Sequence, residues 1–354
     1  MPIKFLPGIL MKIDKSEIKK ILCIKPRGIG DIILSTIILE NLIHYYNDVQ
    51  IDFLTEDFAV TAVENNPFVH KILSMKKKEF PLKVAARIRK EKYNLVFDLW
   101  SNPRSAQITF LSGIKFRAGF AYRGRKYAYN ILASSGRGNY HSAEHNLELL
   151  KALEIPILSK KIHFYVSEKD DELAKQFLEK IIGTEKKIVG IIPSGGWKSK
   201  RCDAFKWVEI CKAIAQKYNI TFLILWGPDD KEDAAFIKNE LGNNALLSPP
   251  TTISEMAGFI NNCNLVIAND SGPMHISAAI GIPTLGLFGP TNPKMHGPYS
   301  DNSDYVIKED LFCIICNKMQ CPYKHECFTE LSTHLVLSKV DQLIQKNHLN
   351  FPQS

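Results

Sequence analysis

No stretch of this 354-residue chain is long and apolar enough to span a bilayer. The opening MPIKFLPGILMKIDKSEIKK has a short apolar patch, but no signal-type hydrophobic region and no small-residue cleavage site. A cytoplasmic protein is expected. Residues 1–20 read as a frayed terminus or as a basic amphipathic segment lying on a membrane surface, and Met11 offers a second start. An Asp-x-Asp pair, an acidic seat for a catalytic metal, occurs nowhere. No basic block interleaved with aromatics stands out, so the net charge of +8 does not point to nucleic acid. It suits anionic ligands such as nucleotide phosphates, or an anionic membrane surface.

What is present is ordinary globular material, 45% hydrophobic and 23% charged, in a chain long enough for two domains. Apolar runs read as strands at 19–25, 49–55, 69–75 and 93–100, with helical patterns at 31–46, 57–65 and 80–92. Residues 101–142 are basic and turn-rich, and a helix at 143–153 closes this half. The second half repeats the alternation, with strands at 187–193, 220–226, 245–248, 264–269 and 283–289. Its first helix, 167–182, has Ser167 as N-cap. Near-continuous apolar strands alternating with helices predict parallel sheets covered on both faces. The boundary falls in the extended connector 154–166, which divides 1–160 from 161–354. The predicted class is α/β, two doubly wound Rossmann-like domains with ligands at the strand ends facing a central cleft.

Three junctions carry chemistry. At IKPRGIGDIIL a strand ends in Lys25-Pro26-Arg27-Gly28-Ile29-Gly30-Asp31 and a helix begins. Gly28 and Gly30 fit a dinucleotide fingerprint, but its third glycine is replaced by Ile33. Asp31 reads either as a first-turn acid or as a carboxylate at a cleft mouth, able to take a proton from a hydroxyl. At IIPSGGWKSKR the loop Ser194-Gly195-Gly196 can present backbone amides to an anion, and Lys200 with Arg201 can neutralise a diphosphate. At VIANDSGPMH a strand ends in Asn269-Asp270-Ser271-Gly272 and a helix follows. Asp270 or Ser271 can cap that helix, its first-turn amides can meet a phosphate, and His275 can point at the same anion. WGPDD ends another strand, where Asp229 or Asp230 can reach a ribose hydroxyl. Arg117 and Arg123, in the basic and aromatic text at 115–140, are candidates for a phosphorylated acceptor.

PRGIGDIIL, PSGGWKSKR, WGPDD and NDSGPMHISAAIGIPTLGLFGPTNP together resemble glycosyltransferase family 9, the bacterial heptosyltransferases of lipopolysaccharide assembly. The likeness runs from about residue 20 to 340. It implies a GT-B fold, with an N-terminal acceptor domain facing a C-terminal nucleotide-sugar donor domain. It further implies an inverting transfer that needs no metal in the catalytic site. Through the resemblance Asp31 becomes the general base and Lys200 the donor lysine. Asn269, Asp270, Ser271, Gly272 and His275 become donor contacts, with Ser194, Gly195, Gly196 and Arg201 beside them. Asp229 becomes the donor-ribose acid, with Asp230 competing. Arg27, Arg117 and Arg123 stand on the acceptor side. The implied partners are ADP-heptose and a lipid A–core glycolipid, met by peripheral contact with the inner membrane. The chain departs from the family where Ile192-Pro193-Ser194 replaces His-Pro-Gly and where Cys202 replaces a Trp.

Four of the eight cysteines are scattered through core-like segments. Cys313, Cys316, Cys321 and Cys327 cluster as C-x2-C-x4-C-x5-C, with His325 nearby. In a reducing compartment this spacing favours a structural zinc ion over disulfides, with an iron–sulfur centre, whose standard spacings it does not match, and a metal-free thiol loop as the alternatives. Two rival functions remain at this level. A nicotinamide oxidoreductase would use Gly28 and Gly30 with Glu56 or Asp57 on the ribose, and a non-catalytic nucleotide-sugar binding protein would share the scaffold.

Overall fold

The computed structural model describes residues 13–136, 138, 140–183 and 186–354. Most of the 1–20 segment, including Met11, lies outside them. Two six-stranded parallel sheets organise the chain. The first contains β1 (Lys20–Ile24), β2 (Gln50–Glu56), β3 (Lys71–Met75), β4 (Leu95–Asp98), β5 (Phe116–Phe120) and β6 (Ile131–Ala133). Their spatial order is β3-β2-β1-β4-β5-β6. The second contains β7 (Lys187–Ile192), β8 (Ile220–Ile224), β9 (Ala245–Leu247), β10 (Leu265–Asn269), β11 (Thr284–Phe288) and β12 (Asp304–Ile307). Its order, β12-β11-β10-β7-β8-β9, is the first sheet's order repeated. Each sheet reverses direction of winding between its first and fourth strands, and a doubly wound sheet opens a crevice at that point.

Helices sit on both faces because the strands are apolar on both. β1, β4, β8, β10 and β11 are buried almost throughout. One apolar cluster runs from the first lobe into the second, taking in Ile33 and Leu34 on one side and Met274 and Ile276 on the other. The lobes therefore meet through a packed seam beneath the cleft.

The sequence expectation of one helix over 31–46 is only partly met. The chain forms a helix at Ile29–Ser35, a tighter turn at Thr36–Ile38 and a second helix at Leu39–Tyr45. Ser35 Oγ and Thr36 Oγ1 donate back to the carbonyls of Ile32 and Ile33, at 2.7 and 2.6 Å, and such back-bonding loosens a helix. The break is used. Thr36 Oγ1 accepts the His163 N–H at 2.7 Å, and Asn41 Oδ1 accepts those of Leu158 and Ser159 at 2.7 and 2.9 Å. The inter-lobe connector is thus strapped to the first lobe.

Residues 101–142, read as turn-rich, also hold a helix at Pro103–Ser112 and the strands β5 and β6. Among the described residues, no helix is long and apolar enough to cross a membrane.

Candidate active site

The two switch points face each other across a cavity of about 610 Å³, a size that suits a ligand of several hundred daltons. From the first lobe come Gly28, Ile29, Gly30, Asp31, Leu34 and Phe58. From the second come the 194–197 loop, Lys200, Arg201, the 227–230 turn, Asp270 to Pro273, His275, Thr291 and His296.

Asp31 stands in the first turn of helix Ile29–Ser35 and is solvent-exposed at the cleft. Gly28, just ahead, has φ +84°, and a Cβ there would lie 2.5 Å from Asp31 Oδ2. Only glycine permits both the left-handed backbone and that carboxylate position. Gly30 serves the seam. A Cβ on it would stand 2.5 Å from His275 Cδ2, so the two helix starts touch only because this side chain is missing.

The second lobe offers an anion cradle. Helix Gly272–Ile280 opens directly on the cavity, with its free amides and positive dipole end directed there. Ser271 occupies the N-cap position but makes no capping hydrogen bond. Pro273 at the second helical position has no N–H to offer one. Ser271 Oγ, Ser194 Oγ and His275 Nδ1 are buried without a hydrogen-bond partner. Orphaned buried polar atoms are rare because each costs about 1–3 kcal/mol. Three of them around one cavity mark a place built for a polar ligand. Burial pulls the His275 pKa down to about 4, against the upward pull of the Asp270 carboxylate, so the ring is neutral at pH 7.

Lys200 and Arg201 are held, not loose. Lys200 Nζ lies 2.7 Å from Asp270 Oδ2 and 4.5 Å from the centre of the Trp197 ring. The same Asp270 oxygen accepts from Thr291 Oγ1 at 2.6 Å. Arg201 donates from Nε to Gly195 O and from Nη1 to Asp229 O, and its Nη1 lies 2.9 Å from Asp230 Oδ1. Asp230 is therefore committed to Arg201, whereas Asp229 is exposed at the cavity wall. That arrangement favours Asp229 of the two for a ribose.

Fourteen of the residues singled out in the sequence line this one cavity: Gly28, Gly30, Asp31, Ser194, Gly195, Gly196, Lys200, Arg201, Asp229, Asp230, Asp270, Ser271, Gly272 and His275. Asn269 does not. Its side chain is fully buried, donating to Pro193 O at 2.6 Å and accepting the Cys202 N–H, so it ties two strand ends together behind the cleft. Arg117 does not either. It sits near the start of β5, at the sheet edge away from the cleft, with Nε and Nη1 on the carbonyls of Ala128 and Ile114. The expectation that it meets an acceptor gives way to a strut. Arg27 pairs with buried Glu56 at 2.9 Å beside the cleft, and Arg123 is exposed on the turn after β5; neither lines the cavity.

Thr291, Trp197, Phe58 and His296 line the cavity without having been singled out. Thr291 lies within the quoted GPTNP stretch, where a threonine after a strand-ending Gly-Pro was the available signal. Nothing in the local sequence marks the others.

The cysteine loop packs beside the second lobe's wall of the cavity. Cys313, Cys316, Cys321 and Cys327 line one small space with Ser199 and His325. All eight cysteines are free thiols. Burial and the three neighbouring thiols push the Cys327 pKa up to about 12. His325 is committed, with its ring nitrogens on Asp203 and the Ser199 carbonyl. Among the described residues, no group of three or more His, Cys, Asp or Glu is arranged to hold a metal ion. The loop reaches the site through Ser199, which donates from N to Met319 O and from Oγ to Lys318 O, next to Lys200.

Comparison with known proteins agrees with this geometry. The Haemophilus influenzae lipooligosaccharide heptosyltransferase 2 is 25% identical over 348 residues, covering 92% of this chain and 99% of that one. A family 9 glycosyl transferase from Veillonella parvula superposes with TM-score 0.82 at 21% identity, covering 93% and 97% of the two chains. E. coli ADP-heptose lps heptosyltransferase II does so with TM-score 0.75 at 21% identity, covering 93% and 99%. The fold is that of these GT-B enzymes, and nothing in the comparisons supports a nicotinamide oxidoreductase. The model of glycosyltransferase family 9 (heptosyltransferase) matches residues 82–326, and the chain belongs to that family of enzymes.

Proposed function

We propose that this glycosyltransferase moves a heptose from ADP-heptose to the core of a lipopolysaccharide or lipooligosaccharide, with inversion at the anomeric carbon. The observation that carries the reading is the exposed Asp31 carboxylate facing an anion cradle across one cleft. The relatives, lipooligosaccharide heptosyltransferase 2 of Haemophilus influenzae among them, support the choice of sugar and acceptor.

The acceptor hydroxyl attacks the anomeric carbon while the bond to the nucleoside diphosphate breaks. Asp31 takes the hydroxyl proton. Negative charge grows on the departing diphosphate, where the amides of helix Gly272–Ile280, Lys200 and Arg201 stabilise it. Ser194, Ser271 and neutral His275 supply the remaining hydrogen bonds, and Asp229 takes a ribose hydroxyl. With fixed cations in place and no Asp-x-Asp pair in the sequence, transfer needs no divalent ion. The four-cysteine loop takes up a structural zinc ion; four thiols around one space support this, although the ion would have to draw their sulfurs together. The enzyme works from the cytoplasm, at the face of the membrane that holds its glycolipid acceptor.

The test pairs a thermal-shift panel of nucleotide sugars with a transfer assay on wild type and Asp31→Ala. ADP-heptose should stabilise both proteins, while transfer by the variant falls about 10²–10⁴-fold. Undiminished transfer by Asp31→Ala, or no stabilisation by any nucleotide sugar, defeats the reading.

A further inference from the structure

The first lobe presents basic and apolar groups at the edge of its sheet where the cleft opens. Loop 76–80 follows the end of β3, and loop 121–127 follows the end of β5. Both are pinned to the start of helix Pro103–Ser112, which lies between them. Arg104 of that helix donates to the carbonyls of Lys76, Lys77 and Glu79 at 2.7–2.9 Å, and pairs with Glu56. On the other side Arg125 donates to Ser101 O at 3.1 Å, and the Tyr127 ring stacks edge-on against Phe110. The two loops are therefore parts of one firm rim.

Two large apolar side chains stand out from it. Phe80 is 73% exposed and Leu82, in the next helix's first turn, 61%. Beside them Lys76, Lys77, Lys78 and Lys83 are exposed, as are Arg123 and Lys126 on the second loop, and none of the six has an ion-pair partner among the described residues. Two carboxylates on this side are engaged, Glu79 on Arg87 and Glu56, buried, between Arg27 and Arg104; Asp57, just after β2, is exposed and offsets one of the six cations. Basic side chains beside protruding apolar ones match a surface with anionic headgroups over an acyl interior.

We propose that this rim docks the enzyme on an anionic lipid surface, with Phe80 and Leu82 entering the headgroup boundary and the lysines meeting the phosphates. The inference rests on the reading of the acceptor as a glycolipid, which must reach Asp31 from this side. Docking so placed brings the open cleft to the membrane and holds an acceptor headgroup beside the base.

The test uses the full chain and lipid vesicles, with no sugar transfer involved, so it is independent of the donor panel that tests the reading itself. Wild type should sediment with vesicles of phosphatidylcholine and phosphatidylglycerol, and not with phosphatidylcholine alone. Raising the salt should release it. Phe80→Glu with Leu82→Glu, and separately Lys77→Glu with Lys78→Glu, should each weaken binding about tenfold or more, while melting like wild type and giving unchanged transfer to a lipid-free acceptor fragment. Equal binding to neutral and anionic vesicles, no binding to either, or full binding by both variants overturns the proposal.

Discussion

The imidazole of His275 lies flush against Gly30, filling the space where any other residue would carry its Cβ. This contact joins the helix that bears the proposed base to the helix proposed to meet the diphosphate. Gly30→Ala places a methyl 2.5 Å from His275 Cδ2, so either the ring turns or the lobes part. Overpacking of this kind costs about 1–3 kcal/mol. The variant should melt several degrees lower and lose turnover more than donor affinity, as read by calorimetry and steady-state kinetics. A silent Gly30→Ala would mean that the seam yields freely.

The Lys200–Asp270 pair predicts a separation of stability from activity. Lys200→Met strips the nearly buried Asp270 of its cation and leaves Thr291 as its side-chain hydrogen-bond donor among the described residues, at a cost of about 1–3 kcal/mol. Adding Asp270→Asn removes the stranded charge and should restore most of the lost stability, seen in urea melts. Transfer should stay low in both proteins, because the cation that meets the diphosphate is gone. Recovery of transfer in the double variant would show that Lys200 serves only to neutralise Asp270.

Acid should weaken the seam. His275 and His141, which hydrogen-bonds Gly297 O across the lobes, are both held near pKa 4 by burial. Their unfolded value is about 6.5. Both groups stay neutral when folded and take up protons on unfolding. Their contribution to stability is thus full above pH 6.5 and is lost as pH falls toward 4. Melting temperature should decline over that window, and His141→Gln should make the decline shallower. A melting temperature flat between pH 6.5 and 4.5 would contradict this.

Metal analysis of the purified chain addresses the cysteine loop. One zinc per chain is expected, lost in Cys321→Ser. Since Ser199 hangs on the Lys318 and Met319 carbonyls of that loop, the same variant should raise the donor KM. Metal-free wild type with normal transfer would leave the loop as a thiol-lined brace.

Much of this site was legible because its residues are adjacent in the chain. Asp31, the Ser194–Gly196 loop and Asp270–His275 each follow an apolar strand directly, and a strand end that turns into a helix is a local signal. Asn269 was misleading for the same reason: it shares the junction, yet β10 carries its side chain into the interior, where Pro193 O takes it. Arg117 sits in FRAGF, five residues that form β5, and no periodicity told which end of that strand it would occupy. β5, β6 and β12 escaped notice, and length is not the reason, since β4 and β9 are just as short and were expected; Arg117 and Gly119 interrupt the apolar run of β5, and β12 opens on Asp304. β5 also depends on a distant partner, since Gly119 makes room for the Tyr129 ring, whose hydroxyl reaches Asp98 on β4. The break at Ser35–Thr36 depends on the connector that binds it, which no local pattern announces.

The strapping of the connector reaches further than the helix it interrupts. Leu158, Ser159 and His163 are fastened to Asn41 and Thr36, so by the time the chain leaves His163 it still travels with the first lobe. Tyr165 O is still held by Asn65 Nδ2 of the first lobe at 3.3 Å, so only Val166 and Ser167 remain before helix Glu168–Ile182 of the second. Any relative turn of the lobes has to be absorbed by the backbone of those two residues together with a repacking of the Gly30–His275 contact.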